Sequence, residues 1–162
     1  MNPSIYELRV KAELHLVKIE EEIRELLNRE YGKPYELECR IKTEESLLRK
    51  YNEFSELCKE QVSNVPDILG FRISVVSQED CPLIAELVVN NLKSKDVIDY
   101  FNSPKETGFK AYLCYLENQP VTTEIQIMSQ AMRDWTNLTH KEHEIRKYGY
   151  TLNDNETKQS KK

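Results

Sequence analysis

Two carboxylates and a short row of cations are the residues in this chain whose placement could do chemistry. Asp67 opens the apolar run 67–76, D-I-L-G-F-R-I-S-V-V, and Glu124 lies inside T-E-I-Q-I, residues 123–127. In that second run Ile125 and Ile127 take one face of a strand, and Glu124, Gln126 and Met128 take the other. A carboxylate on a central strand must be paired, bind a metal or line a cleft, because burial without a partner is costly. Two acids meeting across a sheet could hold Mg²⁺ and orient a hydroxyl nucleophile. Two acids solvated on an open sheet face would give the same spacing.

The cations come in two groups. Arg40 and Lys42 end the polar face of the alternating segment 35–42, and Ser46 and Lys50 follow one turn apart on one side of the next helix. Cations and a hydroxyl near a helix N-terminus make a triphosphate cradle, or else an ordinary solvated face of surface charges. In P-K-E-T-G-F-K, residues 104–110, Gly108 relaxes the backbone while Lys105 and Lys110 flank Phe109. That suits a nucleobase stacked on the ring with phosphates met by lysines, and it equally describes a hairpin loop with a core Phe.

The elements that must position these residues follow from periodicity. Ile5, Leu8, Leu14, Val17, Leu26 and Leu27 recur at helical spacing over 3–28, and Y-G-K-P at 31–34 ends that helix. Residues 35–42 alternate as a half-buried strand, with Cys39 among the inward positions, and Thr43 caps a helix running to about Lys59. After N-V-P, residues 67–76 predict a central strand in which Gly70 suggests a bulge or a close backbone approach to ligand. A helix over 81–92, a short strand over 97–101 and a hairpin of 109–116 with 121–127 follow. A last helix over 130–146 turns Met132, Trp135 and Leu138 inward. The order predicts an α+β fold, a central mixed β-sheet flanked by helices. One domain is expected over 1–150, then a polar, disordered tail over 151–162.

Composition narrows the class. The 162 residues are 39% apolar and 31% charged with 4 Gly and 6 Pro, enough to bury one sizeable core. A net charge of −5 argues against a general nucleic-acid coat but leaves room for a local basic pocket. No stretch has the length of a membrane span and the first residues lack a signal-peptide run, so a cytoplasmic protein is expected. Cys39, Cys58, Cys81 and Cys114 form no C-x-x-C pair and are read as reduced.

Five motifs in order resemble the RelA/SpoT nucleotidyltransferase domain over about residues 35–140. They are R-I-K-x-x-x-S-x-x-x-K (Arg40, Lys42, Ser46, Lys50), D-I-L-G-F-R (Asp67, Gly70, Arg72), P-K-x-x-G-F-K, E-I-Q-I with A-M-x-x-W, and T-H. The resemblance implies a Mg²⁺-dependent pyrophosphokinase that moves the β,γ-pyrophosphate of ATP to a ribose 3′-hydroxyl. It implies that Arg40 and Arg72 sandwich the adenine and that Lys42, Ser46 and Lys50 hold the phosphates. Asp67 and Glu124 would bind the metal, and Glu124 would also meet the acceptor hydroxyl. Lys105, Gly108, Phe109, Lys110, Gln126 and His140 fall on the acceptor side.

Departures from the family pattern gather there. Phe109 replaces the usual Tyr, Ala111 and Leu113 stand where Ser and His are common, and Met128-Ser129 replaces Arg-Thr. A free GDP or GTP presents a mobile polyphosphate that needs such polar groups, whereas a tRNA 3′ CCA end does not. The pattern resembles the toxic small alarmone synthetases of toxin–antitoxin pairs, which implies a tRNA acceptor, an antitoxin partner and a monomer. Lys105, Lys110, Arg133, Lys141, Arg146 and Lys147 are then candidates for backbone contacts to tRNA. Synthesis of (p)ppGpp or its adenosine analogue from free nucleotides, and an inactive nucleotide-binding module, are the alternatives.

Overall fold

The computed structural model describes residues 3–148, with the side chains of 3, 56–58, 60 and 140–148 outside the description. The elements run α1 (Pro3–Glu30), β1 (Tyr35–Ile41), α2 (Glu44–Glu53), a 3₁₀ segment (Glu56–Asn64), β2 (Leu69–Val75), a 3₁₀ turn (Gln78–Asp80), α3 (Cys81–Leu92), β3 (Ser94–Asp99), β4 (Tyr112–Leu116), β5 (Thr123–Ser129) and α4 (Gln130–Tyr148). The expected polar tail and the side chain of His140 lie outside the described residues.

The five strands form one mixed sheet in the order β1-β2-β5-β4-β3. β2 pairs antiparallel with β1 and parallel with β5, and β4 pairs antiparallel with both β5 and β3. The α+β mixed sheet expected from the sequence is the observed one. α1 and α3 pack on one face, which is apolar at every second position: Leu69, Phe71, Ile73 and Val75 from β2 and Ile125 and Ile127 from β5 are buried with Ile5, Ile19, Ile23 and Leu27 of α1 and Ile84 and Val88 of α3. Each such aliphatic side chain contributes on the order of 2 kcal/mol by leaving water. The opposite face is covered only towards one end, by α4, which packs on β5 and β2. That leaves an open, polar sheet surface.

Several local expectations are corrected. In α1 the core is reached by Ala12, Ile19 and Ile23, while Leu14 and Val17 stay 78% and 56% exposed, because helix rotation puts them on the side away from the sheet. Leu138 of α4 is likewise exposed, at 62%, on the side of the helix turned to solvent. Cys39 is exposed although its strand neighbours Leu37 and Ile41 are half-buried. α2 stops at Glu53 instead of reaching Lys59, and the 3₁₀ segment takes over. Gly70 makes no bulge: the β1–β2 and β2–β5 registers run through it without a break, and the sheet's irregularity lies in β3 between Ser94 and Asp96.

Candidate active site

The open face is built from sheet rows. β1 contributes Glu36, Glu38 and Arg40, β2 contributes Gly70, Arg72 and Ser74, and β5 contributes Glu124, Gln126 and Met128, all at alternate positions. The register sets Arg40, Gly70, Glu124 and Tyr115 side by side across four strands. The next row is Glu38, Arg72, Gln126 and Leu113. Strand parity and register thus bring Arg40, Arg72, Glu124 and Gln126, which are far apart in sequence, onto one surface. Gly70 leaves room there: a Cβ would meet the Arg40 backbone oxygen at 3.9 Å and its Nε at 4.0 Å, so the arginine lies across the glycine.

Glu124 is only 7% exposed. Its charge is met by Gln126, whose Nε2 donates to Oε1 at 2.9 Å, and Tyr115 stands directly across from it in the β4–β5 ladder. The network continues, with Arg72 Nε donating to Gln126 Oε1 at 3.1 Å and Arg72 Nη1 to Asn137 Oδ1 of α4 at 3.0 Å. Burial lowers the Arg72 guanidinium below its usual range; Glu38 and Glu124 oppose this and Arg40 adds to it. Burial first, and then the neighbouring Glu124 carboxylate, push the Tyr115 phenol well above the tyrosine range.

Asp67 lies two residues before β2, in the approach to the strand. Lys42 Nζ reaches both of its oxygens, at 3.1 and 3.2 Å, and Arg40 Nη2 reaches Oδ2 at 3.1 Å. Lys42 is placed by its own backbone N–H, which bonds the Ile68 carbonyl at 2.8 Å. Arg40, which bonds Asp67, stands in the same sheet row as Glu124, so the two acids lie at the same end of the open face. Thr43 caps α2 as expected, its Oγ1 accepting from the Ser46 N–H at 3.1 Å, and its hydroxyl donates to Ser46 Oγ at 3.0 Å. Lys50 pairs with Glu53 at 3.5 Å. Among the described residues no group of three or more His, Cys, Asp or Glu side chains is gathered for a metal ion. A cleft of about 590 Å³ is lined by Pro66, Asp96, Ile98, Tyr115, Leu116 and Thr123.

The acceptor-side residues group at the other end of β4. Gly108 takes φ +90°, a conformation that favours glycine, and its N–H bonds the Lys105 carbonyl at 2.8 Å to close the turn. The turn sets Phe109 edge-on to Tyr100 at 5.7 Å, and the Lys105 ammonium lies 5.2 Å from the Phe109 ring centre and 4.9 Å from that of Tyr100. Beneath them Ala111, Leu113 and Met128 form a buried apolar cluster with Phe109, Tyr115 and Met132 packed against it. Lys110 is half-buried beside Phe109. Arg133, read from sequence as an outward cation for tRNA, is instead tucked under α4, bonded to Glu36 and, at 3.2 Å, to Ser74 Oγ. Tyr115 and Asn137 were missed by the sequence reading. The β4–β5 hairpin held a usable signal for Tyr115, since it stands directly across from Glu124; Asn137 had none, because only the seating of α4 brings it to Arg72.

Comparison with known proteins agrees with this architecture. A Streptococcus pneumoniae GTP pyrophosphokinase family protein superposes with a TM-score of 0.74 at 18% identity, over 98% of this chain and 85% of that one. Bacillus subtilis small alarmone synthetase 1, solved with its product pppGpp, gives 0.63 at 26% identity, over 83% and 76%. The Type VI effector Tas1, solved with its immunity protein, gives 0.60 at 20% identity, over 82% and 64%. A comparison with curated protein sequences gives no match. Residues 39–150, which carry both acids, both arginines and the Phe109 turn, match the model of the region found in RelA/SpoT proteins, and the chain belongs to that family.

Proposed function

We propose that the chain is a pyrophosphokinase that transfers the β,γ-pyrophosphate of ATP to a ribose 3′-hydroxyl. The observation that carries this reading is the open sheet face, on which Arg40, Arg72, Glu124 and Gln126 share two adjacent rows with Asp67 at the same end. Arg40 lies across Gly70 and Arg72 stands in the next row of the same face, and the two offer planar cations to an adenine. Lys42, Ser46 and Lys50 face the triphosphate, helped by the N-terminus of α2.

Asp67 and Glu124 fit Mg²⁺ in donor type, both offering hard carboxylate oxygens at the same end of the sheet face, and Mg²⁺ commonly takes one or two carboxylates with substrate phosphates completing its shell. Asp67 bonds Arg40 and Lys42, cations that would serve the nucleotide phosphates while Asp67 and Glu124 hold the ion. Bound there, Mg²⁺ would neutralise the donor phosphates. In the transfer, the acceptor oxygen forms a bond to the β-phosphorus, the bond from that phosphorus to the α–β bridging oxygen breaks, and AMP leaves with the electron pair. Glu124 accepts the hydroxyl proton. Positioning and charge stabilisation supply most of the rate.

For the acceptor we favour the 3′ end of tRNA, with a neutralising protein partner and a monomeric enzyme of one domain over residues 1–150. What supports this is the apolar wall of Ala111, Leu113 and Met128 beside Phe109, which offers nothing to a mobile polyphosphate. The likeness to Tas1, solved with an immunity protein, is compatible with a guarded toxin. A second reading, alarmone synthesis from GDP or GTP, is supported by the likeness to a synthetase solved with pppGpp. Incubation with ATP labelled on the terminal phosphate and GDP, GTP, ATP or bulk tRNA in separate reactions tests both. Label on tRNA alone is the expected result; label on free nucleotide moves the assignment to alarmone synthesis, and no label on any acceptor refutes the pyrophosphokinase.

A further inference from the structure

We infer that Asn137 of α4 is a positioning residue for the donor nucleotide: it fixes the plane of the Arg72 guanidinium that the adenine meets. The inference rests on the pyrophosphokinase reading above and deepens it with a side chain outside the motifs that led to that reading.

Two hydrogen bonds hold Arg72 from two different elements. Its Nε donates to Gln126 Oε1 of β5 at 3.1 Å, and its Nη1 donates to Asn137 Oδ1 of α4 at 3.0 Å. All the donors of a guanidinium lie in the plane of the group. Acceptors at two of its nitrogens therefore set that plane, whereas a single acceptor leaves the group free to swing about one bond. The Gln126 amide is itself tied down, its Nε2 donating to Glu124 Oε1 at 2.9 Å. Neither bond to Arg72 uses a face of the guanidinium, and a face is what a stacked base meets.

The seating of α4 explains why residue 137 takes this part. Arg133 and Asn137 lie one turn apart on one side of the helix, and they meet Ser74 and Arg72, alternate residues on one side of β2. Four residues of helix rise about 6 Å and two residues of strand about 6.6 Å, so the two repeats match and both contacts form in step. Thr136 and Thr139 spend their hydroxyls on the helix itself, donating to the carbonyls of Met132 at 2.8 Å and Trp135 at 3.0 Å. Asn is a poor helix former, and what it adds at this exposed position is an oxygen that Arg72 can reach. An arginine held in place before the base arrives has less ordering left to lose on binding.

The test uses the full chain and two readouts, equilibrium binding of ATP and transfer of the terminal-phosphate label to whichever acceptor the wild type accepts. Asn137→Leu suits the helix but removes the oxygen that Arg72 donates to, while Asn137→Asp keeps an oxygen in the same place. Asn137→Leu is expected to bind ATP roughly three- to tenfold more weakly, with kcat and KM for the acceptor within about twofold. Asn137→Asp should bind ATP within about twofold of wild type, a rescue that a merely structural lesion does not give. Thermal midpoints of all the proteins are measured, and rates are taken about 20 °C below the lowest so that loss of fold does not mimic loss of affinity. Unchanged ATP binding by Asn137→Leu, an Asn137→Asp as weak as Asn137→Leu, or a kcat that falls further than ATP affinity overturns the role of Asn137 alone. A wild type that labels no acceptor, or Arg72→Ala binding ATP as tightly as wild type, overturns the underlying assignment and the role of Asn137 with it.

Discussion

At the scale of single residues, the site is organised by how charges are compensated before substrate arrives. Asp67 is held by Lys42 and Arg40, and Glu124 by Gln126, so neither acid is left bare. These bonds differ in exposure: the Arg40 side chain is 58% exposed and easily exchanged, whereas Glu124 is nearly closed off. An exposed pair contributes about 0–1 kcal/mol, so breaking the Arg40 contact in favour of a nucleotide costs little. Asp67→Ala should therefore leave the far-ultraviolet circular dichroism and melting profile close to wild type while label transfer falls by roughly a hundred- to a thousandfold, the size of losing one electrostatic anchor. Transfer persisting near the wild-type rate would remove Asp67 from the metal.

At the scale of elements, two short contacts fix where the chemistry sits. Thr43 caps α2, and the same cap brings Ser46 to the end of β1. Thr43→Ala should cost about 1 kcal/mol of stability, the usual size for a lost N-cap, and raise KM for ATP more than KM for the acceptor; denaturant melts and steady-state rates check the two effects together. The other contact joins the end of α1 to the turn before α3, where the Tyr31 hydroxyl donates to Asp80 Oδ2 at 2.8 Å and Lys33 Nζ adds a bond at 3.3 Å. The Tyr31 bond, with Lys33 helping against burial, holds Asp80 below the usual carboxylate range, while burial first and then Asp80 push Tyr31 up to about 12. A depressed carboxylate stabilises the fold above its unfolded value of about 3.9 and loses that as pH falls through its folded value. A raised phenol stabilises below about 10 and loses it as pH rises through its folded value. Tyr31→Phe should thus be destabilised at pH 7, with the gap to wild type narrowing below about pH 4, as read from urea melts at pH 7 and pH 3.

At the scale of the whole molecule, the asymmetry of the sheet decides what the protein can do. One face is sealed by α1 and α3, and the other keeps a polar surface roofed only towards one end by α4. Arg72 ties that roof to the catalytic row through Asn137, while Arg133 anchors it to Glu36 and Ser74. With a net charge of −5, binding of a polyanionic acceptor has to come from local cations such as Lys105 and Lys110, not from a general field. Each phosphate contact adds to the salt slope. Transfer to tRNA should accordingly fall by roughly tenfold or more between 50 and 200 mM salt, with KM for ATP changing far less. A salt-independent rate would argue for an acceptor without a phosphate backbone.

The sequence alone determined the strands, the mixed α+β class, the Thr43 cap and the one-face grouping of Glu124, Gln126 and Met128, because period-2 alternation and capping are local properties of the chain. It also carried the motif order that resembles the RelA/SpoT family. Only the tertiary structure decided the rest. Register, fixed by packing of the sealed face, set Arg40, Gly70, Glu124 and Tyr115 in one row. Helix rotation turned Leu14 and Val17 outward, and the seating of α4 buried Arg133 and brought Asn137 to Arg72. Such contacts join residues as much as 104 positions apart, as His15 to Gln119 shows, and no local pattern in a chain encodes which distant side chain will fill a given hydrogen bond.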